Sequence, residues 1–321
     1  MRAVVVTRPG KAVVLEMTER ERPTAGPGQV LVRVEAAGIN FMDVYQSAGI
    51  VSVPTPFVAG VEGAGEVVAV GQGVTSLAQG QRVGWFSGGQ GSYAEYVAVD
   101  AAKAVLVPDG IPAELAAAVL MQGVTAQYLA TDAYQVRSGD WVLVHAAAGG
   151  VGLLLTQVVR LRGGRVIGTV STLGKAGAAR ASGAEEVITY DDFAARVRDL
   201  TGGEGVAAVY DGVGAATFYG SLASLRPRGT LLVYGTASGP TPPLDIPLLN
   251  TGGSLYVTRP SIGHYTASAE ELRDRAAKVL AWVAGKELHV TVGGRYPLAE
   301  AEAAQEALES RRTTGKLLLL P

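Results

Sequence analysis

The chain, 321 residues long, reads as a two-part α/β protein: a compact β-rich part and a doubly wound parallel sheet. Three observations predict this. The first third is a series of short β-branched runs parted by Gly/Pro turns. From Gly139 onward strands alternate regularly with helical stretches. Between them, residues 141–155 run from an apolar strand through a glycine turn into an apolar helix.

In the first part, Val30 to Val34 follows the turn signal Gly26-Pro27-Gly28. Gly65 to Val70, Tyr93 to Val97 and Ala104 to Pro108 are further short runs, the pattern of a compact barrel-like β domain. After Pro112 the rhythm changes, with an alanine-rich helix from Ala113 to Leu120. Strands are expected at 141–145, 165–170, 186–189, 206–211, 229–234 and 254–258, with helices such as 151–162 and 174–182 between them. Such alternation implies a parallel sheet with right-handed crossovers, and six strands suffice for a doubly wound fold. In the tail, Leu272, Ala276, Val279, Leu280 and Val283 recur at helical spacing, as do Leu298, Ala301, Ala304 and Leu308. Lys316 to Leu320 reads as a buried strand. The tail leaves the strand–helix rhythm, so it is expected to return to the first part, giving a discontinuous domain of 1–121 plus 261–321 around a domain of 122–260.

The glycine turn carries the first chemical signal. Its register is Ala147-Ala148-Gly149-Gly150-Val151-Gly152, a Gly-x-Gly-x-x-Gly fingerprint with its first glycine replaced by Ala147. Gly149 lets the backbone approach a pyrophosphate, and Gly152 lets the helix pack closely on the strand. The free N–H groups at the helix start then face the phosphates. A glycine-rich strand–helix turn without a ligand is the plain alternative, but the strand before and the alternating domain after are the context that the fingerprint requires. The second signal lies one strand on. An NAD site usually carries Asp or Glu there to bind the ribose hydroxyls. This chain has Ser171 and Thr172, then Lys175. Two hydroxyls and an ammonium suit a 2′-phosphate, so NADPH is expected over NADH.

Composition narrows the class. Apolar residues make up 48% and charged residues 17%, with net charge −2, as in an ordinary soluble globular protein. No apolar run reaches the roughly 18–20 residues of a membrane span. The N-terminal stretch lacks the hydrophobic length and cleavage site of a signal peptide, so a cytoplasmic location is expected. Near-neutral charge argues against nucleic acid as a partner. The chain has no cysteine, which excludes disulfides, thiolate catalysis and Cys-based zinc sites.

Several segments together resemble the zinc-free medium-chain dehydrogenases/reductases, specifically the NADPH:quinone reductases of the zeta-crystallin type. They are Ala37 to Tyr45, Gly60 to Gly65, His145 to Gly152, Tyr210 to Gly214, Ser254 to Pro260, and Glu309 to Arg311 with Gly315-Lys316. The resemblance runs over essentially the whole chain. It implies a GroES-like β-rich catalytic domain, a Rossmann NADPH-binding domain, and NADPH in the cleft between them. It also implies a homodimer, commonly formed by joining sheets edge to edge. By position it suggests Asn40, Phe41 and Tyr45 near the nicotinamide, and Tyr128 facing the cofactor. Gly149, Gly150, Val151 and Gly152 would hold the pyrophosphate, with Ser171, Thr172, Lys175 and Tyr190 at the adenosine phosphate. Tyr234, Gly235 and Thr236 would lie near the ribose, and Val257, Arg259, Gly315, Lys316 and Leu317 would finish the nicotinamide pocket. Two departures stand out: residues 48–53 lack the tyrosine often found there, and Gly212 replaces a common serine.

Zinc relatives take their metal ligands from a Cys after the first Gly-rich strand and from a Gly-His-Glu segment. Here these stretches carry Asn40 and Asp43, and Gly60-Val61-Glu62. His145, His264 and His289 are scattered without ligand spacing, so no metal is expected. Without a Lewis acid an alcohol is hard to activate, whereas quinones and activated enones accept hydride with little more than orientation. Asn40 is expected to donate a hydrogen bond to a substrate carbonyl, and Tyr45 a second bond or a proton. For each, a structural role is the alternative: Asn40 as a turn residue, Tyr45 as an aromatic wall. The expected activity is zinc-independent reduction of a small-molecule quinone by NADPH. An enone or 2-alkenal reductase on the same scaffold and a non-catalytic NADPH-binding protein are its rivals.

Overall fold

The structure is a computed structural model and describes residues 1–10, 14–86 and 89–321. The chain forms two compact units. One comprises residues 1–124, 266–286 and 290–321; the other comprises residues 125–265 and 287–289.

The first unit is β-rich. A seven-stranded sheet runs in the order Val292–Pro297, Lys316–Leu320, Gln29–Gly38, Glu62–Val70, Arg82–Phe86 and Ala104–Leu106, with Tyr96–Asp100 also pairing with Gln29–Gly38. A three-stranded sheet joins Val14–Glu19, Arg2–Arg8 and Phe57–Val58. The third strand of the expected series begins at Tyr96 rather than Tyr93, because Tyr93 hydrogen-bonds to Val4 and Ala59 across the small sheet instead. Alternation of buried and outward positions along these strands builds two cores. Val30, Val32, Val67, Val83 and Trp85 fill one. Val4, Ile39, Phe57, Tyr93, Leu317 and Leu319 fill the other. Leu318 and Leu319 pair antiparallel with Gly38 and Ala37, which sets Lys316 at the level of the chain segment after Gly38. The helix Ala269–Ala284 is capped by Ser268, whose hydroxyl accepts from the Glu271 N–H at 3.1 Å.

The second unit is a six-stranded sheet, parallel throughout, ordered Glu186–Ile188, Arg165–Thr169, Trp141–Val144, Val206–Asp211, Leu225–Val233 and Tyr256–Thr258. Numbered along the chain this order is 3-2-1-4-5-6, that of the doubly wound dinucleotide fold. Boundaries shift for local reasons. The first strand ends at Val144 because Ala146 takes a left-handed conformation (φ 49°), and the last begins only after left-handed Ser254 (φ 59°). The stretch 174–182 divides into a 3-10 turn, Leu173–Lys175, and a short helix, Ala176–Ala181. Gly174 and Gly177 weaken helix formation there. Tyr128 and Tyr265, at the two ends of the long segment 125–265, stack face to face with centroids 4.3 Å apart.

Candidate active site

In the parallel-sheet unit, the chain leaves Val144, turns at Ala146 and enters the helix Gly150–Leu161 behind an extended Gly149. Ala147 N–H bonds to Thr169 O at 2.9 Å and Gly149 N–H to Ala146 O at 2.8 Å, pinning the turn to the neighbouring strand. The N–H groups of Gly150, Val151 and Gly152 open the helix, where no intrahelical acceptor exists for them. Gly149, Gly150 and Val151 are partly exposed, so this positive helix end is accessible. A Cβ on Gly152 would lie 2.3 Å from Ala146 O and 2.8 Å from Ala147 Cα. The turn therefore closes tightly only on glycine, as a pyrophosphate cradle requires, and the residues present fit a dinucleotide.

The turn is braced from below. Ala146 N–H donates to the Tyr190 hydroxyl at 2.9 Å, and the Tyr190 ring lies 5.7 Å from the His145 ring, nearly parallel to it. His145 is fully buried, with Nδ1 at 2.8 Å from Thr169 Oγ1 and Nε2 at 3.0 Å from Ser221 Oγ. Ser221 and Thr217 donate to Asp211 Oδ2, and the N–H groups of Val213 and Gly214 donate to its Oδ1. Ser221 spends its hydroxyl proton on Asp211 Oδ2, so its Oγ receives the His145 Nε2 proton. Burial pushes the His145 pKa down to about 4 against the opposing pull of Asp211, so the ring is neutral at neutral pH. Ser171 and Thr172 are exposed beyond the strand Arg165–Thr169. Lys175 ends the following 3-10 turn half-buried, its ammonium pKa lowered by desolvation. Tyr234 lies over Gly212, where a Cβ would approach the ring to 2.9 Å. Gly235 N–H reaches Asp211 O, and Thr236 follows it in the same turn. Val257 sits on the edge strand, with Arg259 exposed just past its end. Tyr128 is 2% exposed beneath its stack with Tyr265.

In the β-rich unit, Asn40 lies two residues beyond the strand Gln29–Gly38 and caps the helix Phe41–Ser47. Its backbone N–H donates to Asp43 Oδ2 at 2.7 Å. Its side chain enters a buried network. Nδ2 donates to Gly38 O and to Glu62 Oε2; Oδ1 accepts from Gln122 Nε2 and Lys316 Nζ. Lys316 and Glu62 form an ion pair at 2.6 Å, 3% and 0% exposed, and Glu62 Oε1 accepts from Met121 N–H. Asp43 also accepts from Val61 N–H and the Tyr93 hydroxyl. Burial raises the Asp43 pKa to about 7, against these hydrogen bonds and the Lys316 charge, while burial lowers that of Lys316. Gln122 Oε1 is buried with no partner among the described residues. Phe41 and Tyr45, four residues apart and partly exposed, bring their rings to 6.1 Å on the outer face of this helix. Gly315 and buried Leu317 flank Lys316, and Leu317 O accepts from Ile39 N–H.

Comparison with known proteins places both halves. Residues 26–109 match the alcohol dehydrogenase GroES-like domain and residues 150–284 the zinc-binding dehydrogenase domain. A quinone oxidoreductase of Pseudomonas aeruginosa is 42% identical over 97% of each chain. A 2-haloacrylate reductase of a Burkholderia species is 41% identical over 92% of each. A mycobacterial protein solved in complex with NADPH is 48% identical, covers 100% of both chains and superposes with a TM-score of 0.96. The chain belongs to the zeta-crystallin-like quinone oxidoreductases of the medium-chain dehydrogenase/reductase family.

The residues do not fit the zinc that the second domain's description implies. Among the described residues no group of three or more His, Asp or Glu could hold a metal, and the chain has no cysteine. Where Asn40 and the Val61-Glu62 segment meet, the Lys316 ammonium and the Gln122 amide occupy the polar positions. Two residues of the expected site lie in this network. Both amide hydrogens of Asn40 meet protein acceptors, Gly38 O and Glu62 Oε2. The Lys316 ammonium meets Glu62 and Asn40. Sequence reasoning missed Asp43, Glu62, Tyr93, Gln122, Asp211 and Ser221. A charge inside an apolar run was the available signal: Glu62 in Gly60 to Ala64, and Lys316 at the head of four leucines, each demand a buried partner.

Proposed function

We propose that this protein is an NADPH-dependent oxidoreductase that reduces quinones without zinc. The observation that carries the reading is the strand–turn–helix of 141–161, whose open helix end is closed on Gly152 and followed by Ser171, Thr172 and Lys175 with no carboxylate. Gly149, Gly150, Val151 and Gly152 would bind the pyrophosphate, Ser171, Thr172, Lys175 and Tyr190 the adenosine phosphate, and Tyr234, Gly235 and Thr236 the ribose. Phe41, Tyr128, Val257, Arg259, Gly315 and Leu317 would wall the nicotinamide. NADPH supplies the hydride. The protein's own contribution is orientation and a proton: Tyr45, partly exposed on its helix, is the hydroxyl placed to donate to a developing oxyanion. Asn40 acts as the peg that fixes the start of that helix. The full-length likeness to named quinone oxidoreductases and to an NADPH complex supports substrate and cofactor alike.

The reading extends to a catalytic domain of 1–121 plus 261–321, a cofactor domain of 122–260, a homodimer, and a soluble enzyme of the cytoplasm. A second reading, reduction of an activated alkene conjugated to a carbonyl, is favoured by the 41% identity to a 2-haloacrylate reductase. NADPH oxidation at 340 nm by metal-stripped protein, against ortho- and para-quinones and enones with NADH in parallel, separates the two. Quinone turnover with NADPH preferred is the expected result. Turnover of enones alone would transfer the assignment to the second reading. Silence with both, while NADPH still raises the melting temperature, would leave a binding protein.

A further inference from the structure

The Lys316–Glu62 pair is an unusual investment for a β-rich core. Two ions buried to this depth lose hydration that their mutual attraction only partly returns, and apolar residues of similar volume would serve stability as well. Apart from Glu62 Oε1, which accepts from Met121 N–H, their remaining hydrogen bonds converge on a single group. Lys316 donates to Asn40 Oδ1 at 2.8 Å, and Asn40 Nδ2 donates to Glu62 Oε2 at 3.0 Å, closing a ring of three side chains with the 2.6 Å ion pair. Gly38 makes the room: a Cβ there would lie 2.4 Å from Glu62 Oε2 and 2.8 Å from Lys316 Cε.

We propose that Lys316 and Glu62 are positioning residues that lock the Asn40 amide in one orientation and thereby set the start of the helix that presents Tyr45 for reduction. A flipped amide would turn its NH2 toward the ammonium and its oxygen toward the carboxylate, so the pair permits one orientation only. The same residue's backbone N–H holds Asp43 in the first helical turn, and Asp43 is anchored in turn to Val61 and Tyr93. Tyr45 follows two residues later. The lock therefore passes from an internal ion pair to an outward-facing hydroxyl through one amide and one capped turn. The inference rests on the oxidoreductase reading above.

The test uses the whole protein and two variants, Glu62→Gln and the double variant Lys316→Met with Glu62→Gln. Glutamine is isosteric, but it can present an NH2 where the carboxylate could only accept, and so weakens the preference for one amide orientation; in the double variant Gln122 Nε2 and Gly38 O are left to hold it. Three quantities are measured: NADPH Kd by fluorescence, melting temperature, and kcat and KM for the quinone that wild type reduces best. In a folded variant, kcat is expected to fall at least tenfold while the NADPH Kd moves less than threefold and the melting temperature by only a few degrees. A folded variant that keeps kcat within twofold of wild type overturns the proposal. So does a parallel collapse of kcat, NADPH affinity and melting temperature, which is what a merely structural pair would give. Glu62→Gln takes the carboxylate from a buried ammonium, whereas the double variant removes both charges and so keeps the test open should the single variant not fold. A silent wild type overturns the oxidoreductase reading itself, an outcome distinct from an active wild type with active variants.

Discussion

At the scale of single residues, the proposed adenosine end of the site rests on Lys175. Its ammonium is half-buried and destabilised by desolvation, and a bound phosphate would reverse that cost by supplying an anion. A charge-assisted hydrogen bond contributes about 1.5–3 kcal/mol, roughly a ten- to hundredfold change in affinity. Lys175→Ala is therefore expected to raise the KM for NADPH by about that factor and leave the KM for NADH nearly unchanged. If both cofactors weaken equally, or neither does, Lys175 is not the phosphate ligand. Tyr234 and Gly212 illustrate a different kind of residue effect. A Cβ at position 212 would approach the Tyr234 ring to 2.9 Å, so the glycine and the tyrosine pack as a pair.

At the scale of elements, the ends of three parallel strands are tied by one polar chain: His145 after the first, Thr169 at the end of the second, Asp211 at the end of the fourth. This chain has a pH signature that runs against that of Asp43. His145 has a folded pKa near 4, below the ordinary 6.5, so the unfolded state binds its proton first and stability falls as pH drops from 6.5 toward 4. Asp43 has a folded pKa near 7, above the ordinary 3.8, so the folded state binds its proton first and stability rises as pH drops through 7 toward 4. The two slopes oppose each other, each at most about 1.4 kcal/mol per pH unit. Replacing His145 with Asn removes the first. Relative to wild type, the urea midpoint of that variant is expected to improve on going from pH 6.5 to 5; parallel curves for the two proteins would refute the assignment.

Elements were also what the sequence displayed best. Short apolar runs and their Gly/Pro punctuation located the six strands of the parallel sheet to within a few residues, since the inner ones are buried on both faces and read as continuous apolar stretches. Ends were less legible, because left-handed Ala146 and Ser254 are not residue types that advertise such a conformation. The glycine turn was legible because close approach can be met only by glycine. The Asn40 network was not, since it joins positions 40, 62, 122 and 316, which no local window contains.

At the scale of the whole molecule, the sheet order leaves Tyr256–Thr258 as an edge, with Tyr256 62% exposed. An open edge offers unpaired N–H and C=O groups to a second copy. Sedimentation equilibrium is expected to give twice the 33.0 kDa chain mass, and Tyr256→Asp to halve it. A wild-type monomer would rule out the homodimer. The stack of Tyr128 on Tyr265 has a further consequence, one of timing. Lys316 leaves the ribosome 276 residues after Asn40, roughly 15–55 s later at ordinary synthesis rates. Through that interval Glu62 has no cation, and the ring around Asn40 cannot close. The inserted parallel-sheet unit is complete earlier, apart from residues 287–289, and its two flanking tyrosines lie side by side, so once folded it acts as a short bridge in a long tether. If the ring positions Tyr45 as proposed, the part of the molecule that serves reduction is the last to be assembled.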